Sequence, residues 1–527
     1  MKKLPLVAHL DLKGIQYRPE FYGEYFQNLR DLGYQAVLVE YEDVFPFRAA
    51  RMSARPEEVW TGEFLRSFLE LAAQAEIEVI PLQQCLGHLE YAFRQSENRR
   101  YSVPRGELRD LDAVSSEARQ WMQGLLAEVM DAHPAARFVH LGMDEAGSFA
   151  AHARASGREP LDVFLEYLEE LCALCERHGK KPLIWADMLE DHIAPENIER
   201  LRTFRDRVVL VPWNYAAGIK PESIVRFSGF RCSRHWLERP QDGPDGVGPI
   251  WDDLLFFEDW APEIKALAAD FQISPWLMAP LFQAAIWKRL GFTVWGGAGG
   301  SITQDRSILP YYHWRAANIR IWKQTVETHH LDGLIITQWA RSNSCTVPNI
   351  LPDAVWPVLA GVADAEGGVC AFFPGVERVD DLMFQIGKCR EDWSLEGTLI
   401  REMDERTPSA HAYEWTTLRL LLRVLQISKR IAAAEELTGC YAGIGRLNET
   451  AWKTPPLREL RKQLLEIRPE VRKHLETRYH GQALEEWFYK VFSVPLETLD
   501  RLEATVAKSI ATFNKRQTGT FFHHDDF

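Results

Sequence analysis

Short apolar segments alternate with amphipathic segments over the first two thirds of the chain. The apolar segments are rich in β-branched and aromatic residues, which is typical of buried parallel strands. The segments between them carry apolar positions at three- and four-residue spacing, which indicates helices. Eight strands are predicted in this way: VAHLDLKG, QAVLVEYED, EVIPLQQCLGH, FVHLGMDEAG, KPLIWADML, VVLVPWNY, FTVWGGAGG and GLIITQWAR.

This alternation predicts an α/β fold with parallel strands joined by right-handed crossovers. Eight strand–helix units favour a (β/α)8 TIM barrel over residues 1–365. A doubly wound open sheet is the alternative. It is less favoured because no G-x-G-x-x-G follows the first strand, and GGAGGS at 296–301 lacks the lysine of a phosphate-binding loop. No cofactor is therefore predicted.

Two regions depart from the alternating pattern. Residues 216–272 form an insertion much longer than an ordinary strand-to-helix loop, and it leaves from the carboxyl end of the sixth strand. From residue 366 to residue 527 the pattern is helical throughout, which predicts an all-α C-terminal domain. This domain could either pack on the barrel or form a homodimer contact, and the sequence leaves both roles open.

Composition and charge narrow the class of partner. The 527 residues include 61 basic and 75 acidic side chains, for a net charge of −14, which argues against nucleic acid as a partner. The basic start of the chain is followed by too short an apolar run for a secretory signal, and no run approaches the roughly 20 residues of a membrane span. With cysteines scattered through the chain, a cytoplasmic location without membrane contact is expected.

Acids and indoles follow the predicted strands. Functional side chains of a parallel barrel project from the carboxyl ends of its strands, so these groups are expected to meet on one rim. The side chains at these ends are His9, Asp11, Lys13, Glu40, Glu42, His88, Asp144, Glu145, Trp185, Asp187, Trp213, Tyr215 and Trp339.

Two neighbouring acids, Asp144 and Glu145, end a buried strand between Gly142 and Gly147. Like charges placed there cost stability unless both have a function. Sugars have apolar faces that stack on indoles and hydroxyls that bond carboxylates, so an acid pair within a tryptophan wall suits glycosidic bond cleavage. A metal site is less favoured, because a metallohydrolase barrel needs several strand-end histidines.

At these residues the chain resembles family 20 of the glycoside hydrolases, the β-N-acetylhexosaminidases. The family motif H-x-G-x-D-E occurs at residues 140–145, its I-P…G-H element at 80–88, and its W-x-D element at 185–187. HLDLKG at 9–14 and EYED at 40–43 are most similar to the hexosaminidase D branch. The resemblance covers roughly residues 5–365.

The resemblance implies an exo-acting, retaining enzyme in which the 2-acetamido group of the substrate is the nucleophile. The bound partner is then a glycan or glycoside with a terminal GalNAc or GlcNAc. Glu145 is implied as general acid and base, and Asp144 as the group that orients the acetamido N–H. The implied substrate-binding residues, which include an indole box and Tyr215 as the acetamido-oxygen ligand, are Asp11, Glu40, His88, Trp185, Asp187, Trp213, Tyr215 and Trp339.

Four features depart from the family pattern. The family tyrosine of strand seven has no counterpart in VWGGAGG, and Arg341 replaces the acid that usually follows the tryptophan of strand eight. Gln84 stands where the family often has an aspartate, and Lys13 is the cation nearest to the place of a family arginine that binds sugar hydroxyls. Two functional alternatives stay open. One is a retaining glycosidase with a carboxylate nucleophile, for which Glu40 is the first candidate. The other is a catalytically inactive protein that binds sugar in the same pocket.

Overall fold

The protein is described by a computed structural model. It describes residues 4–190, 192–193, 196–218, 225–227, 230–232, 281–302, 305, 307–340, 347–362, 368–388, 396–442 and 456–516. No helix within these ranges is long and apolar enough to cross a membrane.

Eight parallel strands close into a barrel in the order β1-β8-β7-β6-β5-β4-β3-β2. The predicted (β/α)8 TIM barrel is confirmed, and the alternative of an open doubly wound sheet is wrong. The strands are β1 Leu6–Asp11, β2 Ala36–Glu40, β3 Glu78–Leu82, β4 Phe138–His140, β5 Lys181–Trp185, β6 Val209–Val211, β7 Thr293–Ser301 and β8 Gly333–Gln338.

Helices occupy the outside of the barrel and all regular structure described after β8. They are Tyr22–Asp31, Gly62–Gln74, Glu90–Phe93, Ser116–Ala132, Phe149–Ala155, Pro160–Arg177, Asp187–Glu190, Ile198–Arg202, Phe282–Arg289, Tyr312–His329, Trp356–Val362, Gly368–Phe372, Val379–Lys388, Glu396–Glu405, Ala412–Ala442, Leu457–Leu475, Gln482–Phe488 and Val494–Arg516. Short helical turns lie at Pro19–Phe21, Glu42–Val44, Arg99–Tyr101, Pro352–Ala354 and Tyr489–Ser493.

The interior of the barrel is filled by alternate residues of its strands, because successive strand side chains point to opposite faces. The apolar interior cluster includes Val7, Leu38, Leu82, Leu183 and Val211. The same parity continues past the strand ends into the predicted site. It reaches Asp11, Glu40, Gln84, Asp144, Trp185, Asp187, Trp213 and Trp339.

The predicted insertion at 216–272 lies mostly outside the described residues. Its described part includes an antiparallel pair of short strands, Val225–Phe227 and Phe230–Cys232. The domain boundary at 365 is not tested by the architecture alone and stays a prediction.

The C-terminal helical region is joined to the barrel by a buried polar network. The hydroxyl of Tyr17 donates to Asp353 Oδ1 over 2.8 Å, and that of Tyr479 donates to Asp353 Oδ2 over 2.5 Å. Arg478 contacts Glu414 at 2.5 Å and Glu24 at 2.7 Å. These contacts fix the segment after Tyr479 next to the loops that follow β1 and β2.

Candidate active site

The acid pair lies on a turn with an unusual backbone. Three of its residues have positive φ: Gly142 at 64°, Met143 at 72° and Glu145 at 45°. Positive φ at a residue other than glycine costs on the order of 1–3 kcal/mol. Such a conformation is kept only where the surrounding structure enforces it. The turn leaves Asp144 buried, with its side chain 7% exposed, and Glu145 accessible, with its side chain 49% exposed.

Two close approaches enforce this turn. A Cβ on Gly87 would lie 2.2 Å from the carbonyl oxygen of Asp144, and a Cβ on Gly142 would lie 1.8 Å from Gln84 Oε1. Neither position can therefore hold a side chain without displacing the acid pair or its support. Gln84, the departure from the family pattern, also donates to Glu40 Oε1 over 3.1 Å.

Asp144 has one occupied and one open carboxylate oxygen. Its Oδ2 lies 3.4 Å from His88 Nε2. Its Oδ1 is buried and receives no hydrogen bond from the described residues. A buried acceptor without a donor is costly, so an N–H from a ligand would be stabilised at this oxygen.

Glu145 is held through its backbone while its carboxyl group reaches solvent. Its N–H donates to Asp187 Oδ2 over 3.0 Å, and its carbonyl oxygen accepts a hydrogen bond from Arg109. Its Oε2 lies 3.4 Å from His88 Nε2 and 4.0 Å from Arg109 Nη2. Arg109 was not predicted, since nothing in the sequence of its loop distinguishes it from a surface arginine.

His88 places a positive charge between the two acids. Burial lowers its pKa, but the charge of Asp144 and hydrogen bonds to both carboxylates outweigh burial and raise the pKa to about 11. The imidazole is therefore protonated at neutral pH and reduces the repulsion between Asp144 and Glu145. Its own backbone has a φ of 57°, a strained conformation for a residue other than glycine.

Asp187 joins the acid turn to the aromatic wall. One of its oxygens accepts from the N–H of Glu145, and the other accepts from Trp213 Nε1 over 3.3 Å. Burial and the charge of Asp144 raise the pKa of Asp187 to about 7. This geometry gives Asp187 a positioning role for both partners.

The aromatic wall consists of four rings at the carboxyl ends of β5, β6 and β8. The rings of Trp185 and Trp339 have centroids 5.7 Å apart, and Trp213 stacks on Tyr215 at 5.1 Å. The indole N–H of Trp339 donates to the Tyr215 hydroxyl over 2.8 Å. Burial raises the pKa of Tyr215, so its hydroxyl keeps its proton and can donate in turn to a ligand oxygen.

Asp11 and Glu40 lie beside the wall in a cluster around Lys13. The Lys13 ammonium lies 3.1 Å from Asp11, 3.3 Å from Glu40 and 3.1 Å from Glu42. An ammonium has three N–H groups, so one carboxylate is available for each. The sequence contains no match for the family arginine and identifies Lys13 only as the nearest cation. In the structure its ammonium group contacts three carboxyl groups of the protein.

The charges of this cluster are strongly coupled. Burial and neighbouring acids raise the pKa of Glu42 to about 8 despite the opposing charge of Lys13. Burial opposes ionisation of Glu40 as well, but Lys13 and His9 outweigh it and lower its pKa. His9 also packs edge-on against Trp339, with ring centroids 4.7 Å apart, and so connects the cluster to the wall.

The structure thus brings all ten predicted site residues into one connected group. Asp11 completes it by accepting a hydrogen bond from the backbone of Ala340, directly after Trp339, over 2.9 Å. Across the described ranges, no group of three or more histidine, cysteine or acidic side chains is arranged to hold a metal ion. Glu42 was not among the predicted site residues, although EYED placed it two positions after Glu40.

Known proteins give an independent comparison. Residues 32–222 match the model of the glycosyl hydrolase family 20 catalytic domain. The chain is 28% identical to hexosaminidase D of Bos taurus over 284 residues, which are 50% of this chain and 80% of that protein. It is 28% identical to hexosaminidase D of Homo sapiens over 225 residues, 40% of this chain but only 45% of the human protein.

Among solved structures, the pneumococcal exo-β-D-N-acetylglucosaminidase with tandem GH20 catalytic modules is similar to this chain. It is 13% identical, the TM-score is 0.44, and the match covers 74% of this chain and 92% of that one. The family resemblance read from the motifs is confirmed by the family model and by the curated relatives. The chain is therefore a glycoside hydrolase whose residues 32–222 are similar to the glycosyl hydrolase family 20 catalytic domain.

Proposed function

We propose that the protein is an exo-acting, retaining β-N-acetylhexosaminidase that releases terminal GalNAc or GlcNAc by substrate-assisted catalysis. The observation that carries this proposal is the pairing of one buried, open acceptor with one accessible carboxyl group on a single turn. Asp144 Oδ1 can accept a hydrogen bond from an amide N–H, and the Glu145 carboxyl group can donate a proton to a glycosidic oxygen. The sugar then lies between this turn and the aromatic wall.

In the first step, Glu145 donates its proton to the glycosidic oxygen, and the bond from that oxygen to C1 breaks. The carbonyl oxygen of the 2-acetamido group forms a new bond to C1, which gives an oxazolinium ion. Asp144 accepts the acetamido N–H and stabilises the positive charge that develops there. Holding the internal nucleophile close to C1 supplies much of the rate, and proton transfer adds roughly 10²–10⁴-fold.

In the second step, Glu145 takes a proton from water, and the hydroxide attacks C1 from the face that the leaving group vacated. The bond from C1 to the acetamido oxygen breaks, so the configuration at C1 is retained. The indoles of Trp185, Trp213 and Trp339 surround the acetamido methyl group, and the Tyr215 hydroxyl donates to its carbonyl oxygen. Excluding water in this way strengthens the contacts to the developing charge.

The alternative with Glu40 as a carboxylate nucleophile is less favoured by its surroundings. Its Oε1 accepts from Gln84 and lies close to Lys13, and its Oε2 lies 3.5 Å from His9. A carboxylate engaged on several sides is a weaker nucleophile than an open one. The inactive-binder alternative is less favoured because both acids of the pair are present and positioned.

Paired aryl glycosides test the proposal. The wild-type protein is expected to hydrolyse aryl N-acetyl-β-hexosaminides and to leave aryl glycosides without the 2-acetamido group almost untouched. Comparison of gluco and galacto pairs gives the sugar preference. Equal turnover of glycosides that lack the amide, or a trapped covalent glycosyl-enzyme, would overturn the substrate-assisted mechanism.

The variant Glu145→Gln keeps the size of the side chain but cannot donate or accept the proton, so we expect a loss of turnover of about 10²–10⁴-fold. Asp144→Asn is expected to be similarly damaging, because the amide cannot stabilise the charge on the acetamido nitrogen. The matched control is Glu117→Gln, which changes an acid that is 69% exposed on the outer helix Ser116–Ala132 and is expected to retain full activity.

Two further expectations accompany this proposal. Subcellular fractionation tests the predicted cytoplasmic location, and sedimentation velocity tests the homodimer contact that the sequence left open as one role of the helical domain. Both stay predictions.

A further inference from the structure

Residues 105–110, which we call the support loop, lie directly against the segment that follows the acid turn. The N–H of Glu107 donates to Ser148 Oγ over 2.9 Å. In return, the N–H of Ser148 donates to Asp110 Oδ2 over 2.6 Å. These two hydrogen bonds join the support loop to the chain three residues after Glu145, so the side chains of the loop are held at fixed positions beside the turn.

Arg109 connects the support loop with both members of the His88–Glu145 contact. Its carbonyl oxygen accepts a hydrogen bond of 2.9 Å from the N–H of Leu89, the residue directly after His88. Its Nη2 donates to the carbonyl oxygen of Glu145 over 2.5 Å and lies 4.0 Å from Glu145 Oε2. One residue therefore holds the backbone next to His88 and the backbone of Glu145 together.

Two acids of the support loop fix the position of the Arg109 guanidinium. Its Nε lies 3.5 Å from Glu107 Oε2 and 3.5 Å from Asp110 Oδ1. Asp110 is fully buried, and a buried carboxylate needs a charged or hydrogen-bonding partner. Burial raises the pKa of Asp110, and the charge of Arg109 opposes this rise. Because Asp110 cannot move freely, its contact sets the place of the guanidinium independently of Glu145.

Glu145 needs such a support because its own conformation is strained and its carboxyl group is accessible. Its φ is 45°, which is costly for a residue other than glycine. Hydrogen bonds hold its backbone at both ends, since Asp187 accepts from the N–H and Arg109 donates to the carbonyl oxygen. A general acid must lie within hydrogen-bond reach of the atom that it protonates, and a displacement of about 1 Å can cost about 10²-fold in rate.

We propose that Arg109 is a positioning residue for proton transfer by Glu145. This inference rests on the proposed function, in which Glu145 is the general acid. The guanidinium, anchored on Asp110, holds the carbonyl end of Glu145 and so keeps the carboxyl group at the glycosidic oxygen. Arg109 acts through Glu145 and not on the sugar, so its effect is confined to steps that need the proton.

The test compares two aryl N-acetyl-β-hexosaminides that differ in the leaving group. Phenolate is a strong base and needs a proton as it leaves, whereas 2,4-dinitrophenolate is a weak base and leaves without one. The variant Arg109→Met removes the N–H donor and the charge, and kcat/KM for each substrate measures the cleavage step. Arg105→Met is the matched control, because Arg105 is an exposed arginine of the same loop.

Arg109→Met is expected to lower kcat/KM for the phenyl glycoside by about 10²-fold and for the dinitrophenyl glycoside by less than about threefold. The control is expected to leave both values unchanged. An equal loss for both substrates would overturn the inference, because Arg109 would then act on the fold or on sugar binding. Unchanged cleavage of the phenyl glycoside would overturn it as well.

Arg109→Lys keeps the comparison available if Arg109→Met does not fold. Its ammonium retains the charge beside Asp110 but is too short to hold the carbonyl oxygen of Glu145 at the same time. We expect a loss of about tenfold for the phenyl glycoside and none for the dinitrophenyl glycoside. Equal kinetics on the two substrates in this variant would contradict the positioning role.

Glu145→Gln, measured with the same two substrates, separates this inference from the proposed function. A selective loss on the phenyl glycoside is expected, because the amide cannot donate the proton. If Glu145→Gln cleaves the phenyl glycoside as fast as the wild type does, the proposed function fails. If Glu145→Gln shows the selective loss and Arg109→Met does not, only the role of Arg109 is overturned.

Discussion

At the scale of single residues, Gly87 fixes the position of the acid turn by leaving room for it. We predict that Gly87→Ala lowers kcat/KM by about 10²-fold, because the new Cβ would lie 2.2 Å from the Asp144 carbonyl oxygen and the turn must move. Steady-state kinetics on an aryl N-acetylhexosaminide measures this loss.

Gly147→Ala is the matched control on the same turn. A Cβ at Gly147 meets nothing within 4 Å, so activity should be retained. Equal kinetics for the two alanine variants would show that the close approach at Gly87 does not hold the turn.

His88 makes the stability of the protein depend on pH. Its pKa is raised from the model-peptide value of 6.5 to about 11, so the native state keeps a proton that the unfolded state has released between these values. The stabilisation is complete below about pH 6.5 and declines as pH rises towards 11, by at most about 1.4 kcal/mol for each pH unit.

We therefore predict that the difference in free energy of unfolding between wild type and His88→Gln is larger at about pH 6 than at about pH 9. Urea denaturation at the two pH values measures it. A difference that stays constant over this range would mean that His88 is not protonated between the acids.

The sequence predicted the proposed catalytic and binding residues better than the residues that position them. Asp144, Glu145 and the tryptophans stand at strand ends, and the period of two that fills the barrel interior continues to them. The supports depend on loop conformations that no periodicity encodes. Arg109 and the approach of Gln84 to Gly142 belong to this second group.

At the scale of elements, Arg478 ties the helical region to the barrel. We predict that Arg478→Met destabilises the protein by about 3–5 kcal/mol, because the buried carboxylates of Glu414 and Asp353 lose their counter-charge. The matched control is Arg501→Met. Arg501 is 62% exposed and pairs with Glu435, and exposed pairs contribute less than about 1 kcal/mol.

Chemical denaturation measures both changes. Equal effects of the two substitutions would contradict a stabilising role of the buried network.

The strands of the barrel were predictable because each is buried and apolar, whereas this network joins residues more than 300 positions apart, such as Tyr17 and Asp353. Single-sequence patterns contain no signal for such pairing.

At the scale of the whole molecule, the barrel and the helical region share buried surface. A chain that ends at residue 365 would lose Arg478, Tyr479 and Trp487, which contact Asp353 and Asn349 on the barrel side. We predict that this truncated chain does not reach the native fold. Circular dichroism and thermal unfolding of the purified fragment measure the outcome, and a cooperative transition near that of the full chain would contradict it.

The shared ammonium at Lys13 has an evolutionary consequence. One ammonium contacts three buried carboxyl groups, so exchanging it alone would leave Asp11, Glu40 and Glu42 buried without their shared counter-charge. Related enzymes should accordingly inherit these four positions as a set, and a lineage that abandons the lysine should be found to have neutralised acids at the same time.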